Sequence, residues 1–324
     1  MLYYTPKDDQ KTSKRFGSKG QSQPEYSSIK NERSPLYLVH KRLGFKNPAI
    51  SPCDQLNPAR TLLITILSRS SNAHIREAIR QTWGALRTYN SIEVRLMFLV
   101  GVDDAMLKQI EIEQSIYHDV VQVTLPENYP IVSYKELASL CWSIKHCPTV
   151  NYIFKADEDI HLNTPLLAKI VEKLFQNSSL PSIPMMFGWF RYKSRVDRTG
   201  RYIVTEEEYG EFYYPFYTFG IGYLMTRAGR DELCAAANTP HPVTRVGDAY
   251  ITGILRHHAQ VGYDRLGDVH YIYSYALNGE KCKSYFIHDE KLLICMASLH
   301  SGTNDAADEY VHTWNVLYKD KEQE

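Results

Sequence analysis

Four short β-branched and apolar runs, at residues 61–67, 95–101, 120–123 and 152–154, alternate with longer stretches whose apolar residues recur at helical spacing. Buried strands that share one direction need crossovers of about a dozen residues or more, and each interval here is long enough for one. The first helix runs through Ile75, Ile79, Trp83 and Leu86, with Ser71 or Asn72 placed to cap it. The second opens at Asp103 and Asp104 and carries Leu107, Ile110 and Ile116. Ser133 and Glu136 read as a capping box for a third, through Leu137, Cys141, Ile144 and Cys147. Asn163-Thr164-Pro165 starts a further helix, with proline in its first turn. This alternation predicts an α/β fold with a mostly parallel central sheet and helices on both faces.

The second half is less regular. Residues 185–190 and 201–204 read as strands, and residues 213–223 form an aromatic segment in which Gly220 and Gly222 suggest close backbone approach or positive φ. Asp248 stands at the start of a helix reaching Leu255, and the chain beyond about Gly267 gives no clear pattern. Residues 1–50 are polar, rich in Ser, Lys and Gln, and read as disordered or stem-like. A single folded domain is expected over 51–324.

The fourth run leads into Lys155-Ala156-Asp157-Glu158-Asp159. In open α/β sheets, ligands sit at the carboxyl ends of the strands. Three acidic side chains there demand a compensating cation, and Asp157 and Asp159 could hold a hard divalent ion through oxygen. An acidic loop in solvent is the plain alternative, and Glu158 reads as a solvated residue between the two.

The chain carries 37 basic and 37 acidic residues, a formal net charge of zero, which argues against nucleic acid or an anionic membrane surface as the main partner. No apolar run approaches the roughly 18 residues of a membrane span, so a membrane association would need an anchor not visible in this sequence. Six cysteines, none in a C-x-x-C arrangement, permit disulfides in an oxidising compartment but select no pairing. Asn177-Ser178-Ser179 is a glycosylation sequon, relevant to a lumenal chain.

Five segments in order then give a resemblance. Residues 76–84 match R-x-x-x-R-x-T-W-G, and residues 98–101 match F-L-x-G. His146-Cys147-Pro148 followed by residues 155–159 resembles H-C-P then K-x-D-D-D. Residues 214–223 resemble Y-P-x-Y-x-x-G-x-G-Y, and residues 247–253 sit where E-D-V-Y-x-x-G is expected. Over about residues 60–315 the chain thus resembles the β-1,3-galactosyltransferase and β-1,3-N-acetylglucosaminyltransferase family. The departures are Gly247 in place of Glu, Ala249 in place of Val, Glu158 as the middle acidic residue, Thr218 in place of Cys, and residues 131–135 in place of N-L-T-x-K.

The resemblance implies a GT-A type fold and inverting transfer of galactose or N-acetylhexosamine from a UDP-sugar to a glycan acceptor on protein or lipid. It also implies a β-1,3 linkage, manganese as the usual divalent ion, and a catalytic domain in the Golgi lumen. Asp157 and Asp159 are then the expected metal ligands, with His300 as the family's late histidine and His288 as the alternative. Asp248 is the expected base toward the acceptor hydroxyl, a role compatible with capping its helix. Arg76, Arg80, Lys135 and Lys155 are candidates for the UDP-sugar, the two arginines equally readable as a structural salt bridge. Trp189, Tyr214, Tyr217 and Tyr223 are candidates for an acceptor cleft, with core packing as the alternative. Two other functions fit parts of the pattern: a catalytically inactive sugar- or nucleotide-binding relative, suggested by Gly247, and an aspartate-nucleophile phosphatase. His161, and the position of the motif on about the fourth strand, argue against the phosphatase.

Overall fold

The computed structural model describes residues 41–54, 56, 59–127, 132–200, 202–272, 279–296 and 305–315. Residues 34–324 group as one unit. Its strands are β1 (Phe45–Lys46), β2 (Thr61–Leu67), β3 (Thr88–Tyr89), β4 (Ile92–Val102), β5 (Val120–Pro126), β6 (Tyr152–Asp157), β7 (Ile160–Leu162), β8 (Met185–Gly188), β9 (Phe190–Arg191), β10 (Tyr217–Thr218), β11 (Gly222–Thr226), β12 (Gly262–Arg265), β13 (His270–Ile272) and β14 (Leu292–Met296). The helices are α1 (Ala73–Gln81), α2 (Leu107–Tyr117), α3 (Val132–His146), α4 (Thr164–Leu174), α5 (Arg227–Ala236), the wide-turned α6 (Ala249–Leu255), α7 (Gly279–His288) and α8 (Asp305–Trp314).

The main sheet follows the order β1-β5-β4-β2-β6-β11-β8-β12, with β3 beside β4. Its centre, β5-β4-β2-β6, is parallel. All seven residues of β2 are buried, as expected of a strand covered on both faces, and this is why its sequence is a continuous apolar run rather than an alternating one. The chain builds outward from β2 to β4 and β5, then returns to place β6 on the other side of β2. That reversal opens a crevice at the carboxyl ends of β2 and β6, where ligands of such sheets bind. Leu67 and Asp157 lie in register at its mouth. Beyond β6 the sheet turns antiparallel at β11. Two small sheets, β9-β10 and β13-β14-β7, flank it.

Several local expectations are corrected. The sheet begins earlier than residue 51: Phe45 and Lys46 pair antiparallel with β5, and the Gly44 amide donates to Thr124 Oγ1. A two-residue strand is too short to show a period. Of the strand expected over 201–204, residue 201 lies outside the described residues and 202–204 form no strand; the Val204 carbonyl instead accepts from Arg198. Asn72 makes no side-chain cap, its amide donating to Glu158 Oε1. Ser133 and Glu136 are not a capping box, because α3 already begins at Val132. The Ser133 hydroxyl is buried without a partner among the described residues, and Glu136 turns to another purpose. Asn163 does cap α4, accepting from Leu166 N.

The cysteines are all paired. Cys53–Cys147 ties the chain before β2 to the end of α3, Cys141–Cys234 joins α3 to α5, and Cys282–Cys295 joins α7 to β14. Two of the three brace α3, the helix that carries Glu136 to the crevice.

Candidate active site

A cavity of about 390 Å³ opens at the β2/β6 switch point. Aspartates from two distant parts of the sequence line it: Asp157 at the end of β6 with Asp159 just beyond, and Asp248 at the start of α6. Glu136 of α3, Lys155 of β6 and Gly247 line it as well. Tyr202, Tyr214, Tyr217, Phe219 and Arg191 form a further wall from the irregular segment.

The acidic end is electrostatically unfinished. Burial, then the neighbouring Asp157 and Glu158, push the Asp159 carboxyl up to about 7, because crowded carboxylates cannot all ionise cheaply away from water. Lys155 partly answers them: its ammonium donates to Asp157 Oδ1 at 2.6 Å and to the Gly220 carbonyl. Despite burial, the attraction of Asp157 and Glu136 keeps this lysine firmly charged. Among the described residues no three His, Cys, Asp or Glu side chains converge as a ready metal cage. Asp157 and Asp159 nonetheless offer hard oxygen donors where positive charge is short, which fits a divalent ion completed by ligand oxygens and water. His300 lies outside the described residues. His288 is exposed at the end of α7, with Nδ1 at 2.7 Å from the Ser284 carbonyl, and does not line the cavity.

Asp248 is held from two sides. Ala249 N donates to Oδ1 at 2.8 Å and Gly220 N to Oδ2 at 3.3 Å. Each oxygen keeps a free lone pair, so capping and proton acceptance coexist. Burial raises its pKa, while the Ala249 amide, Lys155 and the Gly220 amide work in the opposite direction. Glycine at 220 suits this contact: a Cβ there would stand 3.0 Å from Asp248 Cβ, so Asp248 would have to give way by a few tenths of an ångström. Its φ is not positive, so close approach is the reason.

Glu136 is the site residue that the sequence concealed. Its Oε1 accepts from the Tyr223 hydroxyl at 2.5 Å, and burial raises its pKa to about 7 against the opposing pull of Lys155. Only the spatial neighbour Gly247, out of place beside Asp248, could have signalled it.

Other expected residues are placed elsewhere. Arg76 is fully buried and binds Glu113 through Nε and Nη2, with the carbonyls of Arg69 and Ser70. Arg80 binds Glu113 and Asp119 and lies over the Tyr117 ring. Both are therefore the structural ion pairs that the sequence also allowed, and neither lines the cavity. Lys135 is likewise committed, to the Ser68 carbonyl and Glu127. Glu158 is not a solvated spacer: it accepts from Ser68 Oγ, Arg69 N and Asn72 Nδ2, anchoring the loop after β2. Trp83 is core. Of the aromatic candidates, Tyr214 and Tyr217 line the cavity. Tyr223 lies fully buried beneath it, and Trp189 is 40% exposed against Phe219 and Tyr271.

Fold and site together define an α/β protein with a carboxylate-lined crevice at its sheet's switch point. The family model described as galactosyltransferase matches residues 74–266, more than half of the chain, and the chain belongs to that family. It is 29% identical over 223 residues to the rat (Rattus norvegicus) UDP-GalNAc:beta-1,3-N-acetylgalactosaminyltransferase 1, covering 63% of each chain. It is 25% identical over 217 residues to beta-1,3-galactosyltransferase 4 of Mus musculus, covering 59% of this chain and 58% of that one. The aligned region thus spans about three fifths of these curated relatives. A solved galactosyltransferase, LgtC in complex with donor and acceptor sugar analogs, matches 79% of this chain and 96% of its own at TM-score 0.38 and 9% identity.

Proposed function

We propose that this chain transfers a hexose, galactose or N-acetylhexosamine, from a UDP-sugar to a sugar hydroxyl with inversion, forming a β-1,3 linkage. The observation that carries this reading is the convergence on one cavity of the Asp157/Asp159 pair after β6 and Asp248 before α6. Family membership and the named activities of the relatives support it.

Asp157 and Asp159 would hold a divalent ion, with Mn2+ as the expected species. When bound, such an ion supplies positive charge beside the diphosphate leaving group. Lys155 fixes Asp157 in place and balances Asp248. Asp248 takes the proton of the acceptor hydroxyl as that oxygen attacks C1 and the bond to UDP breaks. Its two backbone donors hold the carboxylate in one orientation, and catalytic proton transfer requires such a fixed reach. Tyr214 and Tyr217 present ring faces on which the C–H surface of an acceptor sugar can pack.

A lumenal Golgi setting is part of the proposal. Three disulfides suit an oxidising compartment, and Asn177 of the sequon is exposed. Among the described residues no helix is long and apolar enough to cross a membrane. The test is UDP release from a panel of UDP-sugars with a glycan acceptor, run with Mn2+ and then with chelator. Release with Mn2+ that chelator abolishes supports the reading. Absence of release over the whole panel would leave the sugar-binding relative as the better account.

A further inference from the structure

The motif that begins α6 lacks the acidic residue expected before Asp248, and Gly247 stands there instead. Space explains the glycine. A Cβ at position 247 would lie 2.7 Å from Glu136 Oε2, closer than real Cβ atoms approach. The volume that a side chain at 247 would enter is already filled by a carboxylate, delivered from α3 rather than from α6.

That carboxylate is held ready. Tyr223, fully buried on β11, donates its hydroxyl to Oε1. Two disulfides that brace α3 restrict the helix bearing it. Among the described residues no donor reaches Oε2, although Glu136 lines the cavity. A carboxylate oxygen at a cavity wall with no protein donor on it is an acceptor that a ligand hydroxyl can meet. Glu136 stands with Leu67, Lys155 and Asp157 at the strand ends, where this sheet type places its nucleotide ligand. The tyrosine wall comes from residues 202–217, a different segment.

We infer that Glu136 is a substrate-contacting residue whose Oε2 accepts a hydrogen bond from a hydroxyl of the donor hexose, supplying from α3 the carboxylate that position 247 lacks. This rests on the transferase reading above. It explains why Gly247 and Glu136 occur together: a side chain at 247 would push the Glu136 carboxylate from its place on Tyr223.

The experiment is calorimetric titration of the full chain with UDP and with the UDP-hexose that the wild type turns over, alongside transfer kinetics. The proteins are wild type, Glu136→Gln, Glu136→Ala, Gly247→Glu, and the double variant Glu136→Ala with Gly247→Glu. UDP affinity should be unchanged in Glu136→Gln and Glu136→Ala, whereas UDP-hexose affinity and kcat/KM should fall about 10- to 100-fold, the usual loss for a bond to a charged group. Gln keeps the size and the Tyr223 bond but presents an amide donor to the cavity, so it remains informative if Ala melts early. Gly247→Glu alone should lose activity through the collision, and the double variant should recover most of the loss. Wild-type behaviour of Glu136→Gln, or a folded double variant no better than Glu136→Ala, overturns the inference while leaving the transferase reading intact. A wild type that binds no UDP-sugar overturns both.

Discussion

The Gly220 amide donates to Asp248 Oδ2 at 3.3 Å across a gap too tight for an undisturbed Cβ, since one built on Gly220 would lie 3.0 Å from Asp248 Cβ. The two residues come from segments far apart in sequence, and their contact sets where the carboxylate points. Gly220→Ala should therefore move Asp248 by a few tenths of an ångström or more. Transfer should fall about 10- to 100-fold, as misplaced catalytic groups do, with affinity for the UDP-sugar nearly unchanged. Steady-state kinetics that separate kcat from KM check this.

Arg76 and Arg80 should report on stability rather than on the nucleotide. Arg76 is entirely buried with Glu113, and Arg80 bridges Glu113 and Asp119. Removing one partner of a buried pair leaves an uncompensated charge, at a cost of about 3–5 kcal/mol. Arg76→Met should lower the denaturation midpoint markedly, while the fraction that remains folded binds UDP with wild-type affinity. A specific loss of UDP affinity in a fully stable variant would return Arg76 to the binding site.

His161 gives the protein an acid-sensitive element. Its ring packs 4.7 Å from Tyr310, Nε2 has no partner among the described residues, and burial pushes its pKa down to about 3 from an ordinary value of 6.5. Above pH 6.5 the imidazole is neutral in both folded and unfolded chains, so its burial costs nothing in protonation. As pH falls below 6.5 the unfolded chain takes up a proton that the native state refuses, and native stability drops by up to about 1.4 kcal/mol per pH unit until about pH 3. Denaturation curves between pH 7 and 4 should show that slope, and His161→Leu should flatten it. An unchanged slope in the variant would assign the acid sensitivity to other groups.

The sequence displayed most clearly what is locally encoded. The parallel core is legible because strands covered on both faces must be continuously apolar, as β2 is, and because Asn163 and Pro165 mark a helix start by local chemistry. The outer aspartates are legible because they follow directly on a buried strand. What escaped depends on partners distant in sequence. Ser133 and Glu136 have the spacing of a capping box, yet Glu136 meets Tyr223 and crowds Gly247. Arg76 and Arg80 show only that they share a helix face; Glu113 and Asp119, which neutralise them, lie beyond two strands and a further turn of chain. β1 is too short to carry a pattern, and two of the three cysteine pairs follow from the way α3 packs between α5 and the chain before β2.

The measurement that bears most directly on the central claim is transfer and UDP-sugar binding by Asp248→Asn. The amide keeps the shape of the side chain and its cap on α6 but cannot accept the acceptor's proton. Binding of the UDP-sugar should persist, and transfer should fall by about 10²- to 10⁴-fold. Full transfer by this variant would contradict the assignment of Asp248 as the base.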